Sequence, residues 1–196
     1  MATIGLDKLY FADITEGDDG TETYGTPELL APTIKASLTV EIAEAMLYAD
    51  DGVYRSNKEF KSGKISLNVA ELGASKAAVL LGSKVDKNGV LISSSEDAPP
   101  CVAIGFRAKN DIGGYRYTWL YRVQFASPSK EYETRGENIN YTTPTIEGTI
   151  MRRHKADASG NHPWHAEVNE KDTGVAAATV SSWFESVYEP EYTGET

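Results

Sequence analysis

Residues 114–125 read GYRYTWLYRVQF, placing five aromatic side chains and two arginines within twelve positions. The stretch alternates. Tyr115, Tyr117, Trp119, Tyr121, Val123 and Phe125 share one parity, and Arg116, Thr118, Leu120, Arg122 and Gln124 share the other. Successive side chains of a strand point to opposite faces, so the pattern predicts one strand with an apolar face and a mostly polar one. Each large apolar side chain gains about 1.5–3 kcal/mol on full burial. A slip of one residue would expose all six and bury two unpaired cations, so the register is strongly set.

Shorter alternating runs surround this strand. IKASLTVEI (34–42) predicts a half-buried strand with Ile34, Ala36, Leu38, Val40 and Ile42 on one side. KISLNV (64–69) directs Ile65, Leu67 and Val69 inward, and CVAIGFRAK (101–109) does the same with Val102, Ile104 and Phe106. Ala166 and Val168 mark a further short strand. Pro144, which has no N–H for a ladder, places 141–151 at an edge, a strand start or a bulge. ASKAAVLLG (74–82) predicts a short helix closed by Gly82, and Asn88-Gly89 predicts a hairpin turn. Ile112-Gly113-Gly114 turns the chain into the opening strand. Residues 175–187 carry Ala176, Val180, Trp183, Phe184 and Val187 at amphipathic-helix spacing, with a strand alternative left open by the Val and Thr content. Residues 13–33 read as an extended or loose segment, and 43–63 as a long excursion without a period.

The 196 residues predict one domain, residues 1–196, with an extended N-terminal segment at 1–33 and an acidic tail at 188–196 expected to be flexible. The fold class expected is mainly β: a sandwich or barrel with a flanking short helix and a C-terminal helix. A single cysteine, Cys101, excludes a disulfide within the chain and a cysteine zinc cluster. MATIGLDKLYFADI lacks a long apolar run, so no cleaved leader is expected, and no membrane insertion.

The formal net charge of −10 argues against a dedicated nucleic-acid binder. The acid is unevenly spread. Positions 9–34 hold Asp13, Glu16, Asp18, Asp19, Glu22 and Glu28 with no Lys or Arg, and the chain after Lys171 is equally free of bases.

Motifs for chemistry are sparse. There is no G-x-S-x-G elbow, phosphate-binding loop or H-E-x-x-H. HPWH spaces His162 and His165 three apart without an evident third ligand. Residues around Asp86 and Asn88 place Lys84 and Ser95 where a calcium loop needs acids. Cys101 has no neighbouring His and reads as a small buried hydrophobe. No catalytic residue, cofactor or metal site is expected.

Three stretches in order, LYADDGVYRSNKEFKSGKISLNVAELGASKAAVLLG (47–82), PPCVAIGFRAKNDIGGYRYTWLYRVQF (99–125) and ATVSSWFESVYEP (178–190), resemble the major tail proteins of long-tailed phages of Gram-positive bacteria, the phi13-like family. The resemblance runs from about residue 4 to about residue 190. It implies a tail-tube β-sandwich with a flanking helix, six copies closed into a ring, and rings stacked into a hollow tube. Its partners would be further copies of itself, the tape-measure protein and tail terminator or completion proteins. Double-stranded DNA would pass along the lumen without specific binding. The location implied is the virion tail, after assembly in the host cytoplasm.

On that reading the excursion at 43–63, with Tyr54, Arg55, Lys58, Phe60 and Lys61, is expected to reach a neighbouring ring. Arg116, Leu120 and Arg122 are expected to meet another layer or subunit. A lumen free of basic side chains suits the acidic composition, because Lys and Arg bind phosphate without regard to sequence. Rival readings are a carbohydrate- or partner-binding sandwich with Tyr115, Tyr117 and Trp119 exposed as a platform, and a capsid decoration protein.

Overall fold

The computed structural model describes residues 2–17, 21–49, 52–128 and 143–192. The fold is mainly β. Strands β1 (Thr3–Glu16), β2 (Glu22–Tyr24), β3 (Glu28–Ala31), β4 (Thr33–Ala49) and β5 (Gly52–Val69) precede helix α1 (Ala74–Leu81). The short β6 (Lys84–Val85) and β7 (Leu91–Ile92) follow, then β8 (Cys101–Asn110), β9 (Tyr115–Phe125), β10 (Thr145–Met151), β11 (His165–Asn169) and α2 (Ala177–Ser181). One antiparallel sheet runs β2-β1-β8-β9-β10-β5-β4, with β11 joined to β9 and β3 to β1. β6 and β7 form a separate hairpin.

The sheet is covered on both faces. The inner cluster unites Leu9, Ile65, Leu67, Ile104, Val123 and Ile146, drawn from five strands, with Leu80 of α1 lying over them. The outer cluster gathers Ala103, Tyr117, Trp119 and Tyr121 under Trp183 and Val187. β9 is therefore a central strand buried on both sides, not half-wet. Its alternation is interrupted. Val102 pairs with Val123 and Ile104 with Leu120, so three steps on β9 oppose two on β8. This bulge flips the parity. Tyr117, Trp119 and Tyr121 face outward, while Leu120, Val123 and Phe125 face the inner cluster.

Several expectations hold. α1 ends at Gly82 with φ 67°, the left-handed conformation that a C-terminal cap requires. Asp86 and Gly89 close the β6–β7 turn, and Pro144 immediately precedes β10. Ile65, Leu67 and Val69 are buried.

Others are corrected. Of the two alternatives for the N-terminal segment, extended holds and loose does not: β1 is a 14-residue strand whose Leu9, Phe11 and Ala12 are core residues, and β2 and β3 follow it. The row Ile34, Leu38, Val40 and Ile42 is exposed, and only Ala36 of that set packs against the inner cluster. The 175–187 pattern yields only a five-residue helix. The Ser181 and Ser182 hydroxyls donate to the Ala178 carbonyl and compete with helix propagation. Beyond it the chain straps the outer cluster. Trp119 Nε1–H donates to the Trp183 carbonyl at 2.9 Å, and Tyr121 O–H to that of Tyr188 at 2.9 Å. The expected tail is tied down as far as Tyr192, whose hydroxyl donates to Asp157 at 2.8 Å; residues 193–196 lie outside the described residues.

Candidate assembly surface

The excursion at 43–63 is ordered as an arm. β4 and β5 stay paired from Thr33↔Val69 out to Ala49↔Gly52, two strands of 17 and 18 residues. β10 leaves β5 at the Ile150↔Gly63 pair, so beyond Gly63 the hairpin has no third strand among the described residues. Extended pairing wins over a loop because Ile42, Ala43, Ala45, Met46 and Leu47 continue the β4 row with no Gly or Pro, while β5 absorbs two bulges, at Lys61 and Tyr54.

The arm is fixed at its root. The Phe60 ring stacks on Trp164 with centroids 4.7 Å apart and an interplanar angle of 3°. Trp164 in turn lies 3.7 Å from the ring of His165. Farther out, Lys58 meets Glu44 at 3.3 Å across the strands, and Ser56 donates to the same carboxylate. These contacts brace the hairpin but bury little surface. Tyr54 is 67 % exposed, Leu47 57 % and Ile42 61 %.

The sequence-derived interface residues divide sharply. Tyr54, Arg55, Lys58 and Lys61 project from the arm and are exposed, and Phe60 anchors its base. Arg116 is half-buried, 3.7 Å from Glu167 on β11. Leu120 is wholly buried in the inner cluster, which removes it from any surface contact; the bulge two residues on in β9 is why its neighbours also fill cores.

Arg122 is buried too, and it meets its own chain. Its guanidinium donates to both Glu16 and Glu22. The Glu22 carboxylate, fully buried, also accepts the backbone N–H of His154 at 2.7 Å and of Lys155 at 3.2 Å. The hydrogen bond from Arg122, together with its charge, holds the Glu16 carboxyl below the usual carboxylate range. Glu16, Glu22 and His154 form the one group of potential ligand side chains that converges among the described residues. Arg122 supplies the positive charge there, so the cluster reads as an ion network closing the bulge onto β1 and β2, with the Arg122 Nε–H left without a partner among the described residues.

Sequence reasoning missed this network and the role of Trp164. An arginine in the middle of an aromatic-rich strand, with positions 9–34 acidic and free of Lys and Arg, was the available signal for the first. HPWH was the only signal for the second. The exposed platform of the carbohydrate reading is also absent: Trp119 is 0 % exposed and Tyr117 6 %. No helix among the described residues is long and apolar enough to cross a membrane.

No family model matches the chain, and no curated protein matches it in sequence.

Proposed function

We propose that this chain is a structural subunit of a phage tail tube, built to complete its sheet with other copies of itself and closing into stacked hexameric rings. The observation that carries the reading is the arm. A two-stranded hairpin of this length is at best marginally stable alone. Here it stands clear of the core with apolar side chains exposed and strand edges open. Long, uncovered edges are association sites that monomeric proteins blunt. A protein that keeps one uses it.

A head-to-tail contact of this kind closes into a ring when its rotation permits, and stacking of rings then yields a tube. The acidic composition supports a conduit for DNA, since a bore poor in Lys and Arg does not hold phosphate. The tape-measure and terminator proteins would be met inside the tube and at its end. The subunit works in the virion tail by shape and self-association, without a cofactor.

Negative-stain electron microscopy of the concentrated purified protein tests the reading. Hollow rods of uniform diameter are expected. Compact particles that remain monomeric at every concentration would overturn it.

A further inference from the structure

The arm has two long edges, and they differ in character. The β5 edge carries Arg55, Ser56, Asn57, Lys58, Glu59 and Lys61 and is broken by both bulges. Charges, lysines above all, and bulges are the devices that keep an edge from pairing. Over Ala36–Ala49 the β4 edge has no lysine and no bulge of its own. From Ala36 to Ala49 it holds no Lys or Arg, its charges are Glu41 and Glu44, and Ala43, Ala45 and Leu47 leave its backbone uncrowded.

A second open edge lies at the other side of the sheet. β1 is covered by β3 over Leu9–Phe11 and by β2 over Ile14–Glu16, but Thr3–Asp7, which has one bulge at Ile4 against the two of the β5 arm, pairs only with β8 among the described residues. Ile4 there is 64 % exposed. Beside it stand the exposed Lys8 and Lys109, the latter the register partner of Gly5, while Asp7 is already held by Arg107 at 2.7 Å. One edge thus carries acidic side chains, engaged within the hairpin by Lys58, Ser56 and Ser62, and the other exposed lysines.

Building on the tail-tube reading, we propose that the free edge of β4, not that of β5, takes on the Thr3–Asp7 edge of β1 from a second copy. The contact is head-to-tail, so each subunit gives one edge and receives another. The sheet then continues from copy to copy, with the neighbour's Lys8 and Lys109 brought to an edge whose own charges are acidic.

Matched lysine pairs test the choice of edge. Ala43↔Glu59 and Ala45↔Asn57 are register partners, so Ala43→Lys/Ala45→Lys and Glu59→Lys/Asn57→Lys place two lysines at the same height on opposite edges. All four sites are exposed, and circular dichroism checks that both variants fold. The β4 pair is expected to raise the concentration needed for rods by about tenfold or more, and the β5 pair to leave it within about twofold. Ile4→Lys is expected to act like the β4 pair. Neither the Ile4→Lys protein nor the β4 variant should self-associate alone, yet mixed they keep one intact edge each and should sediment as a heterodimer that grows no further. If the wild type builds rods but both lysine pairs behave alike, or Ile4→Lys assembles normally, or the mixture stays monomeric, the edge assignment falls and the tail-tube reading stands. If the wild type never assembles, both fall.

Discussion

The indole of Trp119 lies directly over Gly105, its register partner on β8, so closely that a Cβ at Gly105 would come within 2.7 Å of the ring. The outer core is built on that approach. Trp119 is fully buried, stands edge-on to Phe184 with centroids 6.0 Å apart, and donates its N–H to the strap at Trp183.

Gly105→Ala is therefore expected to destabilise the subunit by about 1–3 kcal/mol, because the rigid indole has no free direction in which to retreat. Urea unfolding followed by tryptophan fluorescence measures it. A variant as stable as the parent would show that the strap can shift to make room.

Trp119→Ala is expected to cost about 3–5 kcal/mol, combining lost burial with an unfilled cavity and a Trp183 carbonyl left without its donor. Because the indole holds the strap, protease cleavage near residues 183–188 should accelerate well beyond the global loss of stability. Mass spectrometry of a brief digest reads the site directly.

Arg122→Met removes the cation from a buried pair and strands Glu22 among backbone donors alone. Breaking such a pair costs about 3–5 kcal/mol. Arg122→Met combined with Glu22→Gln should recover a good part of that loss, since no uncompensated charge then remains inside. A double variant no better than the single one would mean that the guanidinium acts through packing.

Glu16 provides a pH signature. Its carboxyl is held below the ordinary value of 4.5 in the folded chain by Arg122, so the unfolded chain binds the proton more readily. Its stabilising contribution is complete above that value and fades as pH falls below it. The wild type should exceed Glu16→Gln in stability from neutral pH down to about pH 5, and the two should converge as the pH falls further. Thermal denaturation across that range checks the convergence.

Trimming the arm separates folding from assembly. Joining Glu41 to Ser62, which are register partners, through an Asn-Gly turn removes the exposed hairpin, the Phe60 anchor included, and leaves every inner-cluster strand paired. The trimmed chain should stay monomeric, and its unfolding free energy from urea titration should fall only by the contribution of the Phe60–Trp164 stack, about 0.5–1.5 kcal/mol beyond area burial. Rods built by the trimmed protein would end the arm's role in the proposed tube.

Much of the architecture was legible in local pattern. Ile65, Leu67 and Val69 declared their face by alternation; Gly82 and Asn88-Gly89 declared a helix end and a turn by backbone chemistry. The arm was located by sequence but mistaken for a loop. Its β4 residues 43–49, AEAMLYA, show no clean alternation, and nothing local distinguishes a strand that stays paired from one that wanders. Of the surface residues expected to meet a neighbour, Tyr54, Arg55, Lys58 and Lys61 on the arm are exposed, whereas Phe60 is stacked on Trp164 and Leu120 and Arg122 are consumed by the subunit's own interior.

Amino-acid order alone determined that this chain forms a β-rich body with a capped helix, because side-chain period and turn chemistry are properties of neighbours in the chain. Only the tertiary structure decided that β9 lies buried on both faces, that a bulge exchanges its faces midway, and that Glu16, Glu22 and Arg122 converge. Those outcomes depend on which strands become neighbours across a hundred residues, and on the count of residues each contributes between two shared pairs. Periodicity within one strand carries no record of its partner.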